Sequence, residues 1–312
     1  MYWYYKLLLA VVGGLVLLGI GWGVRSYASR PKTPTTAQAA PELPPSPGPT
    51  GAPAAPSGPT ARGPASAEVQ QKIAIARGHQ QKGDLLTARK LLDNALSAPG
   101  LTVYSADWLA LAEAVGAINT ELLLTDAPCP EKIDYTVLKG DSLWAIAKRF
   151  STTIAMLQKG NRLNETNPTV FPGQVLHIYQ GQWRIEVSKA EYLLTLRDGN
   201  RIVKVYHVGL GKQDRTPVGT FVIENKQREP AWTPPGKNIP YGHPDNVLGT
   251  RWMGLKPDGT TPQTLTGYGI HGTWEPDSIG KPTSNGCVRM VNAQVEELFD
   301  LVPEKVPVVL TN

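Results

Sequence analysis

The chain has 312 residues, a formal net charge of +5, and an uneven spread of 28 prolines and 31 glycines that sets part of it outside any globular core. That length has room for two or three domains. No dense Lys/Arg run is interleaved with aromatics, which argues against nucleic acid, and a mild basic balance fits anionic polymers or lipid head groups without selecting either.

After "MYWYYK" the segment Leu7–Val24 runs for 18 residues without a charge and is closed by Arg25. That is long enough to span a bilayer, with Tyr2, Trp3, Tyr4, Tyr5 and Trp22 as interfacial anchors. The rival reading is a cleaved signal peptide, but the apolar run is long for one and no clear small-residue cleavage site follows. Residues 1–25 are therefore expected to be an N-terminal membrane anchor. Flanking charges leave its orientation nearly balanced.

Residues 26–66 hold eleven prolines between Pro31 and Pro64, among Ala, Thr, Ser and Gly. Such a segment cannot bury enough apolar surface to offset its ordering entropy, so it reads as a disordered, semi-extended tether. Residues 67–128 read as a small all-α module. Ile73, Ala76, Leu85, Ala88, Leu92 and Ala95 form apolar positions broken by a Gly83–Asp84 turn, and a third helix is expected over Ala106–Leu124. The texture resembles one tetratricopeptide unit, and one unit does not make a solenoid. A module that packs on its neighbours is the plain expectation, and a surface for a protein partner is the alternative. His79 is expected on its surface.

In "YTVLKGDSLWAIAKRF" a short strand turns at Lys139–Gly140 into a helix striped by Leu143, Ile146, Ala147 and Phe150, with Asp141 or Ser142 to cap it. A second short helix around Ile154–Lys159 and the closing strand of "FPGQVLHIY" follow. These residues resemble a LysM domain over 133–180. The resemblance implies a βααβ fold, binding to the N-acetylglucosamine backbone of peptidoglycan or chitin, Trp144 and Leu143 in the core, and His177 facing outward.

The remainder, 182–312, is strand-rich. "WRIEVSKAEYLLTLRDGNRIVKVYHVGLG" reads as three strands with Asp198–Gly199 at the hairpin between the second and third, and "TPVGTFVIEN" and "VPVVLT" read as two more. A long Pro-broken connection separates them from "RWMGL" and is expected to be functional or flexible. His207 sits within a strand as a structural residue, and His243 lies in that long loop as a weak candidate for substrate contact.

The loop "HGTWEPDSIGKPTSNGCVRM" holds one of 5 histidines and one of 2 cysteines. A disulfide would need Cys129, which lies two domain boundaries away; a zinc site would need more ligands than one His and one Cys. A buried thiol is the common fate of a lone cysteine, but Cys287 follows Ser284–Asn285–Gly286 rather than an apolar run. A nucleophile explains more of the residues. A thiol near pKa 8.5 is only a few per cent ionised at neutral pH and needs a base, for which His271 is nearest in sequence. Amides of Asn285, Gly286 and Cys287 could hold an oxyanion. If "CVRM" is extended, Cys287 and Arg289 share one face, Val288 and Met290 point into the core, and Arg289 can grip a carboxylate by its planar fork. Asn292 then begins a helix with Val295, Leu298, Phe299 and Val302 inward.

"YGIHGT" followed by "SNGCVRM" resembles the L,D-transpeptidase catalytic domain, also called YkuD-like, and "VGLGKQDRTPVGTF" and "NVLGTRWMGL" match its upstream motifs. Many members carry His where this chain has Asn285, which leaves open what orients the leaving amine. The resemblance implies a mainly-β mixed-sheet fold and a cysteine thioester acyl-enzyme at Cys287, with His271 as base and then acid. It also implies loop geometry set by Ser284 and Gly286, substrate contacts at Arg289, Tyr268, Gly272 and Thr273, and no metal or organic cofactor. The expected chain is thus multidomain: a transmembrane helix, a helical module, a LysM domain and a catalytic domain facing the outer side of the cytoplasmic membrane, acting on peptidoglycan stem peptides while the LysM holds glycan strands. An L,D-carboxypeptidase, protein-to-wall attachment and a non-enzymatic wall-binding scaffold are the alternatives.

Overall fold

The computed structural model describes residues 62–164 and 166–312. The expected anchor Leu7–Val24 and all of the tether before Arg62 lie outside these residues. Among the described residues no helix is long and apolar enough to cross a membrane.

Three helices come first: α1 (Ala67–Gln81), α2 (Leu85–Leu96) and α3 (Ala106–Leu124). Each starts where a side chain accepts an orphan amide: Ser66 from Val69, Asp84 from Thr87 and Ser105 from Trp108. The six expected apolar positions of α1 and α2 are all buried. The end of the tether is ordered here, because Arg62 pairs with Glu191 and its Nε donates to the Tyr104 carbonyl at 2.8 Å.

The next unit is β1 (Lys132–Thr136), α4 (Leu143–Arg149), α5 (Ile154–Gly160) and β2 (Val175–Tyr179), with β1 and β2 antiparallel. Ser142 caps α4, while Asp141 accepts from the Leu138 amide and the Tyr135 hydroxyl. Its core gathers Val137, Leu143, Ile146, Leu157, Leu176 and Ile178. Trp144 is not in it. Expected inside, it is 64% exposed, because it sits one residue, about 100° of helix, off the Leu143–Ile146–Ala147 stripe. His177 faces outward as expected, bonded to Asp134.

The strand-rich part contains β3 (Trp183–Ser188), β4 (Leu193–Asp198), β5 (Arg201–His207), β6 (Leu210–Gly211), β7 (Gly219–Arg228), β8 (Arg251–Pro257), β9 (Gly269–His271), β10 (Pro282–Ser284) and β11 (Val288–Arg289), then α6 (Asn292–Leu301) and β12 (Pro307–Thr311). Eight strands form one mixed sheet in the order β11-β9-β8-β7-β12-β3-β4-β5, and β6 pairs with β10 beside it. Within the eight-stranded sheet the pairs β11/β9 and β12/β3 are parallel and the rest antiparallel, and the separate β6/β10 pair is also parallel. Asp198 pairs with Arg201, so the hairpin loop is Gly199–Asn200, one residue beyond the expected pair. On α6, Val295, Leu298 and Phe299 are buried, as is Val302 just after it.

The helical module packs on this sheet rather than standing free. Strand β5 is an edge, and Asn119 of α3, itself buried, donates through Nδ2 to the carbonyls of Ile202 at 3.2 Å and Val203 at 3.0 Å. Trp108 and Ala112 close over Leu193, Ile202 and Val205. A sheet edge with open carbonyls invites unwanted pairing, and the helix covers it. Glu131, at the start of the LysM unit, bridges Arg89 of α2 and Arg201 of β5. Burial alone would raise its carboxyl, but bonds to Arg201 and Arg89 outweigh this and hold it at about 2.

Candidate active site

The end of β9 and the start of β11 bring the sequence-distant residues together. In the parallel register Val288 lies beside Ile270 and Arg289 beside His271. Val288, Ile270 and Met290 are buried in the core, as expected for one side of the pleat. Alternation places Cys287 and Arg289 on the other side, the side of His271.

His271 is 2% exposed. Its Nδ1 lies 2.6 Å from the Gly272 carbonyl oxygen. A carbonyl only accepts, so Nδ1 carries the hydrogen and Nε2 is left with a free lone pair. Burial, aided by the Arg289 charge and opposed by the Gly272 and Leu248 carbonyls, lowers the imidazole to about 4. Over it stacks Trp252 of β8, with ring centroids 6.0 Å apart and planes at 27°. Gly269 makes that possible, since a Cβ there would stand 2.4 Å from the Trp252 ring.

Cys287 is a half-buried free thiol, its Sγ 3.8 Å from the Gly267 carbonyl oxygen. Burial pushes it above its ordinary value, partly offset by the Gly269 backbone and the Arg289 charge. The thiol and the imidazole are therefore both neutral near pH 7. Cys129 is also free and buried, so the two cysteines form no disulfide. Among the described residues no group of three His, Cys, Asp or Glu side chains could hold a metal ion.

The turn before the thiol is braced by Ser284, 2% exposed, whose Oγ donates to the Cys287 carbonyl at 2.7 Å and accepts from the Gly286 amide at 3.0 Å. That bond corrects the expected oxyanion cradle: the Gly286 amide is engaged inside the loop, leaving those of Asn285 and Cys287 as the donors to consider. Gly286 has φ +135°, and a Cβ on it would stand 2.7 Å from Tyr268 Cε1. Tyr268 thus lies against the loop, half-buried, and Asn285 is exposed.

Thr273 and Gly272, expected as substrate contacts, also have partners within the fold. Thr273 is 5% exposed and its Oγ1 accepts from the Glu275 amide at 3.0 Å, so its hydroxyl shapes the turn. Gly272 gives room to Asn292, since a Cβ there would stand 2.1 Å from Asn292 Oδ1, which accepts from the Thr250 amide. Arg289 is 12% exposed, with Nη1 3.1 Å from Glu275 Oε2 and its buried Nε without a partner. His243 lies in the long loop, exposed, accepting from the Asp245 amide, and His207 faces Glu113. That loop is tied by buried Asn246, which reaches the carbonyls of Pro230, Ile239 and Pro240. Sequence reasoning missed Trp252, Glu275 and Asn292. Trp252 stands in "NVLGTRWMGL", which was already a motif match.

The family model for the L,D-transpeptidase catalytic domain matches residues 182–310, and that for the LysM domain matches 135–178. The chain is 43% identical over 127 residues to the L,D-transpeptidase YqjB of Bacillus subtilis, covering 40% of this chain and 69% of that one. It is 36% identical over 177 residues to the L,D-transpeptidase YkuD of the same organism, covering 55% and 94%. Among solved structures, an L,D-transpeptidase from Mycobacterium smegmatis aligns at 15% identity and TM-score 0.33, covering 45% of this chain and 64% of that chain.

Proposed function

The chain belongs to the L,D-transpeptidase family, and from that premise we propose that it forms 3→3 cross-links between peptidoglycan stem peptides through a thioester on Cys287. The observation that supports the assignment of residues is the parallel register of β9 and β11, which sets Arg289 beside His271 with Cys287 directly before the strand.

With thiol and imidazole both neutral at rest, attack and proton transfer go together. Sγ attacks the carbonyl between the third stem residue and the terminal D-Ala while His271 Nε2 takes the thiol proton. The imidazolium so formed is held by the Gly272 carbonyl at Nδ1. Backbone amides of Asn285 and Cys287 face the oxyanion. As the C–N bond breaks, His271 returns the proton to the departing D-Ala amine. An amine of a second stem then attacks the thioester, its proton passes to His271 and on to the leaving sulfur, and the thiol is restored. Arg289 sits where a stem carboxylate can be gripped, and its unpartnered Nε favours an anion there. No step calls for a metal or an organic cofactor.

The LysM unit holds glycan while the chemistry proceeds. Leu7–Val24 anchors the chain in the cytoplasmic membrane, and the Pro-rich tether lets the catalytic end reach the wall side, where the substrate lies. The same acyl-enzyme resolved by water would give an L,D-carboxypeptidase, and resolved by a protein lysine would give wall attachment. Incubation with a tetrapeptide stem or a carbapenem, read by intact-protein mass, tests the nucleophile: an adduct on wild type absent from Cys287→Ala is expected. No adduct, or equal adducts on both, refutes it and favours a scaffold. Muropeptide analysis then separates cross-linking from trimming.

A further inference from the structure

Where the LysM unit meets the catalytic domain there is a groove of about 660 Å³ that the chemistry at Cys287 does not use. One wall is α4 and the turn after it, with Trp144, Lys148 and Ser151; the other is the end of α6 and the turn beyond, with Pro303, Glu304 and Lys305. The walls are pinned at the floor. Thr153 Oγ1 donates to the Asp300 carbonyl, and Lys159 Nζ lies 2.8 Å from Asp300 Oδ2. The concavity is built into the domain contact, and its size falls within the roughly 300–1,000 Å³ of ligand pockets.

Trp144 is the feature that needs an occupant. Its indole is 64% exposed and lies under the Lys148 ammonium, 5.1 Å from the ring centroid, while the core stripe of α4 is filled without it. A pyranose offers an indole a face of C–H bonds, with hydroxyl and acetamido groups at its rim for hydroxyls such as that of Ser151. The lining also carries four cations, Lys148, Lys226, Arg228 and Lys305, against two acids, Asp300 and Glu304. Asp300 already serves Lys159 and Arg228, and Lys226 is turned to the carbonyls of Phe299 and Val302. Lys148 and Lys305 are left facing a groove of positive balance, which suits carboxylates.

We propose that this groove binds a stem-bearing glycan segment of peptidoglycan, with a sugar ring stacked on Trp144 and a stem carboxylate against Lys148 and Lys305. This rests on the wall-substrate reading above and adds to it a holding point on the seam between the binding and catalytic domains, so that one strand is gripped by both.

The test is calorimetric titration of the full chain with a soluble muropeptide tetrasaccharide carrying its stems, and with the same oligosaccharide after amidase removal of the stems. Trp144→Ala is expected to weaken both at least tenfold and Trp144→Phe to restore most of the loss. The Lys148→Gln/Lys305→Gln double variant is expected to weaken only the stem-bearing ligand. Wild-type affinity in Trp144→Ala, or no binding by wild type, overturns the groove; a double variant that affects both ligands equally overturns the carboxylate contact. Acylation by a free tetrapeptide, read by mass on the same samples, separates the two levels: its absence in wild type refutes the catalytic reading, and its persistence in Trp144→Ala leaves the groove alone under test.

Discussion

His271 Nδ1 donates to the carbonyl of Gly272, its own neighbour in the chain, at 2.6 Å. The orienting group of the base is thus main chain, and among the described residues no carboxylate pairs with the imidazole to stabilise an imidazolium at rest. Since the imidazole is held at about 4, it is a competent base through neutral pH and loses its lone pair only below that. Single-turnover acylation should be nearly flat from about pH 5 to pH 8 and fall on an acid limb near 4. Alkylation of Cys287 by iodoacetamide, followed by peptide mass to set Cys129 aside, should climb only in alkaline solution. A plateau in alkylation near pH 6–7 would mean a preformed thiolate–imidazolium pair and would refute this. The sign for stability agrees: the folded imidazole resists protonation below its ordinary 6.5, so stability is lost as pH falls from there toward 4.

Glu131 makes the second pH prediction, with an acid's sign. Its folded value of about 2 lies below its ordinary 4.5, so its contribution is complete above 4.5 and disappears as pH falls toward 2. The cluster is partly solvated, and the contribution is about 2 kcal/mol after screening. Glu131→Gln should lower Tm at pH 7 by several degrees. The gap from wild type should close toward pH 2; a gap that persists there would show that packing, not charge, joins the helical module to β5.

Much of this arrangement was legible because it rests on side-chain spacing. The bounds of α3, the stripe of α6, and the shared face of Cys287 and Arg289 all follow from periods of 3.6 and 2. What escaped had other causes. The carbonyl that orients His271 is backbone, which no residue type advertises. Glu275 meets Arg289 across 14 residues of irregular loop, where no period applies. Trp144 lies outside the core that the LysM resemblance implies, because its angle on the helix turns it off the apolar stripe. Asn119 could have been found: a lone Asn in an apolar helix needs a buried partner, and the edge carbonyls of β5 supply it.

Glu275 pairs with Nη1 of Arg289, the guanidinium proposed above to grip a stem carboxylate, and it is itself 73% exposed. Glu275→Gln should remove an internal competitor and lower KM for a tetrapeptide donor about three- to tenfold with kcat little changed. Arg289→Lys keeps the charge but loses the fork, and should cost about ten- to a hundredfold in kcat/KM. A rise in KM for Glu275→Gln would mean that the carboxylate positions Arg289 rather than competing for it.

The turn before Cys287 separates two kinds of damage. Ser284→Ala leaves the buried Gly286 amide and the Cys287 carbonyl without their shared partner, at about 1–3 kcal/mol. The main chain can still follow the same path, so acylation should slow while the fold persists. Gly286→Ala asks for more. An L-residue is strained at φ +135°, and its Cβ would meet the Tyr268 ring at 2.7 Å and the Arg215 carbonyl at 3.0 Å. Strain and overpacking together come to about 2–4 kcal/mol, concentrated where the thiol is aimed. Acylation by a tetrapeptide should fall at least a hundredfold, well beyond the loss in Ser284→Ala. Tyr268→Ala in the Gly286→Ala background removes the ring but not the φ demand, so it should restore only part of the activity. Full restoration would make the ring contact, not the backbone conformation, the reason glycine precedes the cysteine.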